Sequence, residues 1–327
     1  MMRRVFITTW LPQGTQTRLA AACEPVLFRP PSSEGLPTAD LPDLPPTRPE
    51  LIRGASGCFG LVCTPRDLVD GPVLDATGVR IVASVGEGLD HIDLEAARAR
   101  RVWVTHTPGI AVDAVADLAV ALMLGLSRRL FEAERSVRSA PTASPRFEGT
   151  EPRQKTLGIV GLGGVGRAVA RRARAFGMRV LHHGGKADGV SAERRELDAL
   201  LRESEVVSLH ARLTPATVGI LGARELGLMR PGALLINTAR AALVDPDALL
   251  EALSSGALGG YALDTGGAPE REPPGRGIDP PLLAFDNVVV TPRLGAATHE
   301  ARVAARERAI DQILAALSGL TPPDRAI

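Results

Sequence analysis

Residues 156–186 read TLGIVGLGGVGRAVARRARAFGMRVLHHGGK, and their order decides the fold. Leu157 to Val160 is a short apolar run with the length and β-branching of a buried parallel strand. Gly161, Gly163 and Gly166 come next in the spacing G-x-G-x-x-G. Beyond them Val165, Val169, Ala173 and Phe176 share one face of a helix, while Arg167, Arg171 and Arg174 take the other. Gly177 suits a left-handed position at the helix end, and Met178 to Leu181 reads as a second strand.

Each glycine has a mechanical reason in that setting. The first permits a tight strand-to-helix turn, the second lets a pyrophosphate reach the backbone, and the third lets helix and strand pack closely. Gly164 and Val165 open the helix, whose uncommitted N–H groups and positive dipole end suit phosphate. The stretch is therefore read as a dinucleotide site. The end of the second strand bears on which dinucleotide. An NAD site usually places Asp or Glu about 20 residues beyond the glycines, against the ribose 2′-hydroxyl. This chain has Gly184, Gly185 and Lys186 instead. No carboxylate repels a 2′-phosphate and an ammonium is at hand, so NADP(H) is favoured, with NAD(H) possible.

Working outward, the 327 residues suffice for two domains with separate cores. A net charge of +1 gives no electrostatic argument for nucleic acid or membrane partners. Cys23, Cys58 and Cys63 lack metal-ligand spacing and read as free thiols in a reducing cytoplasm, and no metal is expected. The opening MMRRVFITTWLP is too polar for a signal peptide, and Ala114 to Leu126 is too short to span a bilayer.

Before residue 104, strands are expected at Val5 to Thr9, Pro25 to Phe28, Gly60 to Cys63, Val79 to Val85 and Val102 to Thr105, with a helix over Thr17 to Ala22. The prolines from Pro30 to Pro49 argue for an irregular surface connection. Ser84-Val-Gly-Glu-Gly-Leu-Asp-His-Ile-Asp93 lies at a strand end, where Val85, Gly86 and Glu87 offer backbone N–H groups to a carboxylate. His91 there reads as structural. Pro108-Gly109 reads as a hinge, and Val112 to Arg138 as one long apolar helix whose exposure implies a homodimer contact. Past Lys186, Ser191 caps a helix to Arg202, Arg224 to Met229 is a short helix, and Asp245-Pro246 starts another. Strands fall at Val206 to His210, Ala233 to Asn237, Tyr261 to Asp264 and Val288 to Thr291. A helix over His299 to Leu317, with Val303, Ile310, Leu314 and Leu317 on one face, packs back on the first domain.

Seven stretches together resemble the D-2-hydroxyacid dehydrogenase family: SVGEGLDHID (84–93), VTHTPGIAVDAVADLAVALML (104–124), KTLGIVGLGGVGRAVA (155–170), SLHARLTP (208–215), MRPGALLINTARAALVD (229–245), GGYALD (259–264) and NVVVTPRLGAATHEA (287–301). Within it, His182 to Ala187 and Ile278 to Leu283 look nearest the phosphite and phosphonate dehydrogenase branch. The resemblance implies two Rossmann-like doubly wound α/β domains: a flavodoxin-like substrate domain, 1–103 with 293–327, and a dinucleotide-binding domain inserted as 104–292, with the active site in the cleft between them. It implies hydride transfer between a nicotinamide cofactor and a small anionic 2-oxo or 2-hydroxy acid, or a phosphonate.

By the same resemblance Arg240 binds the substrate carboxylate and polarises its carbonyl, Thr238 and Ala239 line the cofactor, and Asp264 meets the nicotinamide carboxamide. Val85 to Glu87 is the carboxylate loop, although the phosphite branch carries lysine where Glu87 stands. The family's catalytic Glu position is Pro269 here, leaving Glu270 and Glu272 as candidates. The family's acid/base histidine position is Arg293, whose pKa above about 12 does not suit proton transfer at neutral pH. His299, six residues on, is expected to face away. Arg293 is therefore expected to stabilise developing negative charge, with water or a loop glutamate handling the proton. The alternative is a catalytically impaired dinucleotide-binding regulatory or partner protein.

Overall fold

The computed structural model describes residues 2–30, 44–139, 147–264 and 280–327. The chain forms two compact units, Met1–Ala111 with His299–Ile327 and Val112–Thr298.

The first unit begins β1 (Arg4–Ile7), α1 (Gln13–Ala20), β2 (Glu24–Leu27), α2 (Arg48–Ala55), β3 (Gly60–Cys63), α3 (Gly71–Thr77), β4 (Ile81–Ser84), α4 (Leu94–Ala99) and β5 (Trp103–Thr105). Its strands are parallel in the order β2-β1-β3-β4-β5, the flavodoxin-like arrangement. β3 and β4 are buried throughout, as parallel strands covered on both faces must be. Pro49 corrects the reading of the proline-rich stretch at its far end. It sits in the first turn of α2, where its missing N–H has no helical partner to lose. Thr47 caps that turn, and its N–H and hydroxyl donate to Glu50 over 2.8 and 2.6 Å. Residues 31–43 lie outside the described residues.

The second unit runs α5 (Val112–Ser127), α6 (Leu130–Ser139), β6 (Thr156–Leu162), α7 (Gly164–Ala175), β7 (Arg179–Gly185), β8 (Glu193–Arg194), α8 (Leu197–Glu203), β9 (Val206–Leu209), α9 (Ala223–Leu228), β10 (Ala233–Asn237), α10 (Pro246–Ser254), β11 (Leu258–Leu263) and β12 (Val288–Val290). All its strands are parallel in the order β12-β11-β10-β9-β6-β7-β8. The order reverses at β6, the switch point at which dinucleotides bind. One apolar cluster on the sheet includes Val160, Leu209, Leu235 and Tyr261, and another includes Ile159, Ala168, Val169 and Ile236.

Two expectations change here. The single helix over Val112 to Arg138 is two, because Arg129 turns left-handed at φ 52° and Ser127 gives its carbonyl to Thr150 N–H at 2.7 Å. One apolar face of α5 is covered by its own unit, so the expected homodimer contact falls to the other face, where Leu118 and Leu124 are half-buried and Ala121 is exposed. Ala116, Ala119, Met123 and Leu126 are buried against α7, β10 and β11. Ser191 does not cap a helix either. Glu193 and Arg194 join the sheet beside β7, where Glu193 accepts from Arg179 and Arg195, and α8 starts only at Leu197.

After the second unit the chain returns as α11 (His299–Leu317) to the first. Its buried face centres on Ala309, Ile310, Ile313 and Ala316 against Val5, Ile7, Val62 and Ile81, whereas Leu314 and Leu317 are only partly covered.

Candidate active site

In the second unit the chemistry-bearing residues stand where β6, β7, β10, β11 and β12 end. Gly161 leaves β6 with φ 96°, and a Cβ there would lie 2.6 Å from Ala211 N. A Cβ on Gly166 would lie 2.3 Å from Gly161 O, so the turn is closed by contact between glycine backbones. Gly163 differs: it is the N-cap of α7, and among the described residues nothing stands within 4 Å of where its Cβ would be. No side chain caps the helix there. Open space over an uncapped helix start is what a pyrophosphate requires, and these residues fit an NAD(P) cofactor.

β7 is longer than its apolar run suggested and reaches Gly184 and Gly185, both left-handed at φ 71° and 75°. Gly185 pairs with Leu162 on the Gly-rich turn. Lys186, next in the chain, is exposed.

At the other three strands, two arginines sit on turns braced by buried side chains. Asn237 ends β10 fully buried. Its Oδ1 accepts from Ala239 N–H at 3.0 Å and its Nδ2 donates to Arg240 O at 2.8 Å, fixing the turn of Thr238, Ala239 and Arg240. Asp264 comes directly after β11 and is 5% exposed. It accepts from Thr291 Oγ1 at 2.5 Å and from the N–H groups of Leu294 and Gly295, each at 2.7 Å. Arg293 lies between these anchors with φ 56°. His299 is exposed at the start of α11. Glu270, Glu272 and Pro269 lie outside the described residues.

His210 belongs to this rim, although sequence reasoning passed over it. Ser208 Oγ lies 2.8 Å from its Nε2 and Thr238 Oγ1 3.5 Å from its Nδ1. Burial pushes its pKa down to about 4, so the imidazole is neutral at pH 7. Its place at a strand end within SLHARLTP was the available signal.

In the first unit, Val85 N–H is already given to Cys63 O at 2.7 Å, which corrects its place among the anion-binding amides. Among the described residues no acceptor takes the N–H of Gly86 or Glu87. Glu87 Oε2 accepts from Gly109 N–H at 3.3 Å, and His106 Nδ1 donates to Glu87 O at 3.0 Å. His91 is nearly buried, with its Nε2 3.2 Å from Ser84 Oγ, as a structural histidine should be.

The NAD binding domain of the D-isomer specific 2-hydroxyacid dehydrogenases matches residues 120–295. The chain belongs to that family. A glyoxylate reductase of Thermococcus litoralis is 36% identical to this dehydrogenase-family chain over 99% of its length and 96% of the relative's. A crystal structure of a Thermus thermophilus protein is 39% identical with a TM-score of 0.86, covering 99% of this chain and all of that one. An NADPH-dependent glyoxylate/hydroxypyruvate reductase of Sinorhizobium meliloti, solved with NADP and malonate, is 25% identical with a TM-score of 0.80, covering 100% and 97%. The leaning toward the phosphite and phosphonate branch is corrected: relatives of this family member matched over nearly their full length, in Thermofilum pendens and Thermococcus litoralis, are named glyoxylate reductases. Among the described residues no helix is long and apolar enough to cross a membrane.

Proposed function

We propose that this chain is an NADP(H)-preferring reductase of small 2-oxo acids, with glyoxylate the first substrate to test. The observation that carries the reading is Arg240, held by Asn237 at the C-terminal end of β10 on the same sheet edge as the Gly-rich turn. The bond holds the backbone of Arg240, and a guanidinium on a turn so placed suits two-point binding of a carboxylate and polarisation of the adjacent carbonyl. The bound nicotinamide supplies the hydride. Arg293 neutralises charge developing on the carbonyl oxygen, and water supplies the proton, since a guanidinium keeps its own at neutral pH. Lys186 meets the 2′-phosphate. The glyoxylate reductase relatives support the substrate class.

Steady-state NADPH oxidation with glyoxylate, hydroxypyruvate and larger 2-oxo acids tests this, with NAD-linked and NADP-linked phosphite oxidation run beside it. Turnover of glyoxylate that falls about 100-fold or more in Arg240→Ala is the expected result. One observation favours a second reading: position 293 holds arginine where the family holds its acid/base group. A dinucleotide-binding partner protein would bind NADPH tightly and turn over none of the panel.

A further inference from the structure

We propose that Asp264 is a positioning residue that acts through Arg293 by holding the turn on which that arginine stands. This rests on the reading of Arg293 given above. The resemblance assigns Asp264 to the nicotinamide carboxamide, and within the chain its carboxylate accepts three further hydrogen bonds. Its backbone is fixed to β10 by its N–H on Asn237 O at 2.9 Å, and the next strand pairs Leu263 with Val290. From this buried position one oxygen accepts from Thr291 Oγ1 and Leu294 N–H, and the other accepts from Gly295 N–H. These three donors bracket Arg293 on both sides. A short N–H contact from Arg293 to Thr291 O, 3.0 Å, closes the turn.

The turn needs such a brace. Arg293 is left-handed at φ 56°, a conformation that a residue with a β-carbon holds only when its surroundings impose it. Gly295 permits the imposition. A Cβ there would stand 3.0 Å from Asp264 Oδ2 and 3.1 Å from Val115 Cγ2, so any side chain would push these neighbours back by a few tenths of an ångström. A carboxylate suits three donors, since it has acceptor sites on both oxygens and no hydrogen to place. An amide at 264 would offer one acceptor oxygen and turn an NH2 group toward an N–H donor. The turn would then be free to release Arg293 from its left-handed conformation.

The test is a double-mutant cycle of Asp264→Asn and Arg293→Ala, read by oxalate affinity in calorimetry, by NADPH affinity and by kcat/KM. Asp264→Asn is expected to weaken oxalate binding and kcat/KM about tenfold or more, and to leave NADPH affinity within about twofold. In the Arg293→Ala background it should change neither oxalate affinity nor kcat/KM further, because its effect passes through the missing side chain. Losses that multiply in the double variant overturn the proposal. So does an Asp264→Asn variant that loses NADPH affinity and keeps oxalate affinity, which would return the residue to the carboxamide. Thr291→Val removes one donor with little change of shape, so the same cycle can be run if Asp264→Asn does not fold. A wild type that binds oxalate but turns over nothing would sink the reductase reading alone, and the oxalate cycle would still decide the role of Asp264.

Discussion

Leu162 O stands 2.7 Å from the point where a β-carbon on Gly185 would lie. The end of β7 is therefore pressed against the Gly-rich turn, and only at Gly184 is there open space for a side chain. Gly184→Asp should place a carboxylate where NAD enzymes bind the ribose hydroxyls, and Asp tolerates a left-handed backbone better than most residues. The variant is expected to favour NAD(H). Lys186→Ala should weaken NADP(H) by about 1–2 kcal/mol with little change for NAD(H). Titration of both cofactors by protein fluorescence checks the pair, and equal losses for the two cofactors in Lys186→Ala would remove the assignment.

Arg293 makes a prediction about pH. With no imidazole at 293, the profile of kcat/KM should lack a histidine-like step near 6.5. Arg293→Lys should keep part of the activity, while Arg293→Ala should lose about 100-fold, in KM and kcat together. A clear step near neutrality that disappears in His299→Ala would show that the proton donor has moved along the chain.

Gly163 and Gly166 should fail differently. Gly166→Ala puts a methyl against Gly161 O and should lower stability by about 1–3 kcal/mol, visible as a lower Tm. Gly163→Ala meets no protein atom, so its Tm should match wild type while NADPH affinity falls. Unchanged NADPH affinity in Gly163→Ala would mean that the space over Gly163 has no part in binding.

His210 links acid to unfolding. Its folded-state pKa of about 4 lies below the ordinary value of 6.5, so protonation favours the unfolded chain. Its contribution is complete above pH 6.5 and is lost as pH falls toward about 4, amounting to at most about 3 kcal/mol. Urea unfolding at pH 7 and pH 4 should show wild type losing more than His210→Asn over that interval. Equal pH dependence in the two proteins would place the acid sensitivity elsewhere.

What could be read in advance was whatever neighbours in sequence determine. Asp245 and Pro246 announced α10, and Asp245 does accept from Ala248 N–H. The bounds of β3 and β10 follow from short apolar runs, and those of α11 from its amphipathic spacing before Gly319. The break between α5 and α6 was hidden because the group that takes up Ser127 O is Thr150, far along the chain. Ser191 misled for a similar reason, since β8 exists only where β7 is beside it. At the site, the glycines and Arg240 announced themselves by motif. The braces Asn237 and Asp264 act through side-chain bonds to backbone, which no spacing rule reveals.

The return of α11 to the first unit bears on how the chain is made. A ribosome completes β1 to β5 early, yet Val5, Ile7, Val62 and Ile81 wait for Ile310 and Ile313 until the entire second unit has been synthesised. The inserted unit is continuous in sequence and has all its strands before α11 is made, so its core does not depend on the last segment of the chain. During that wait this sheet face has Leu11 and Leu19 against it but lacks the cover of Ala309, Ile310 and Ile313.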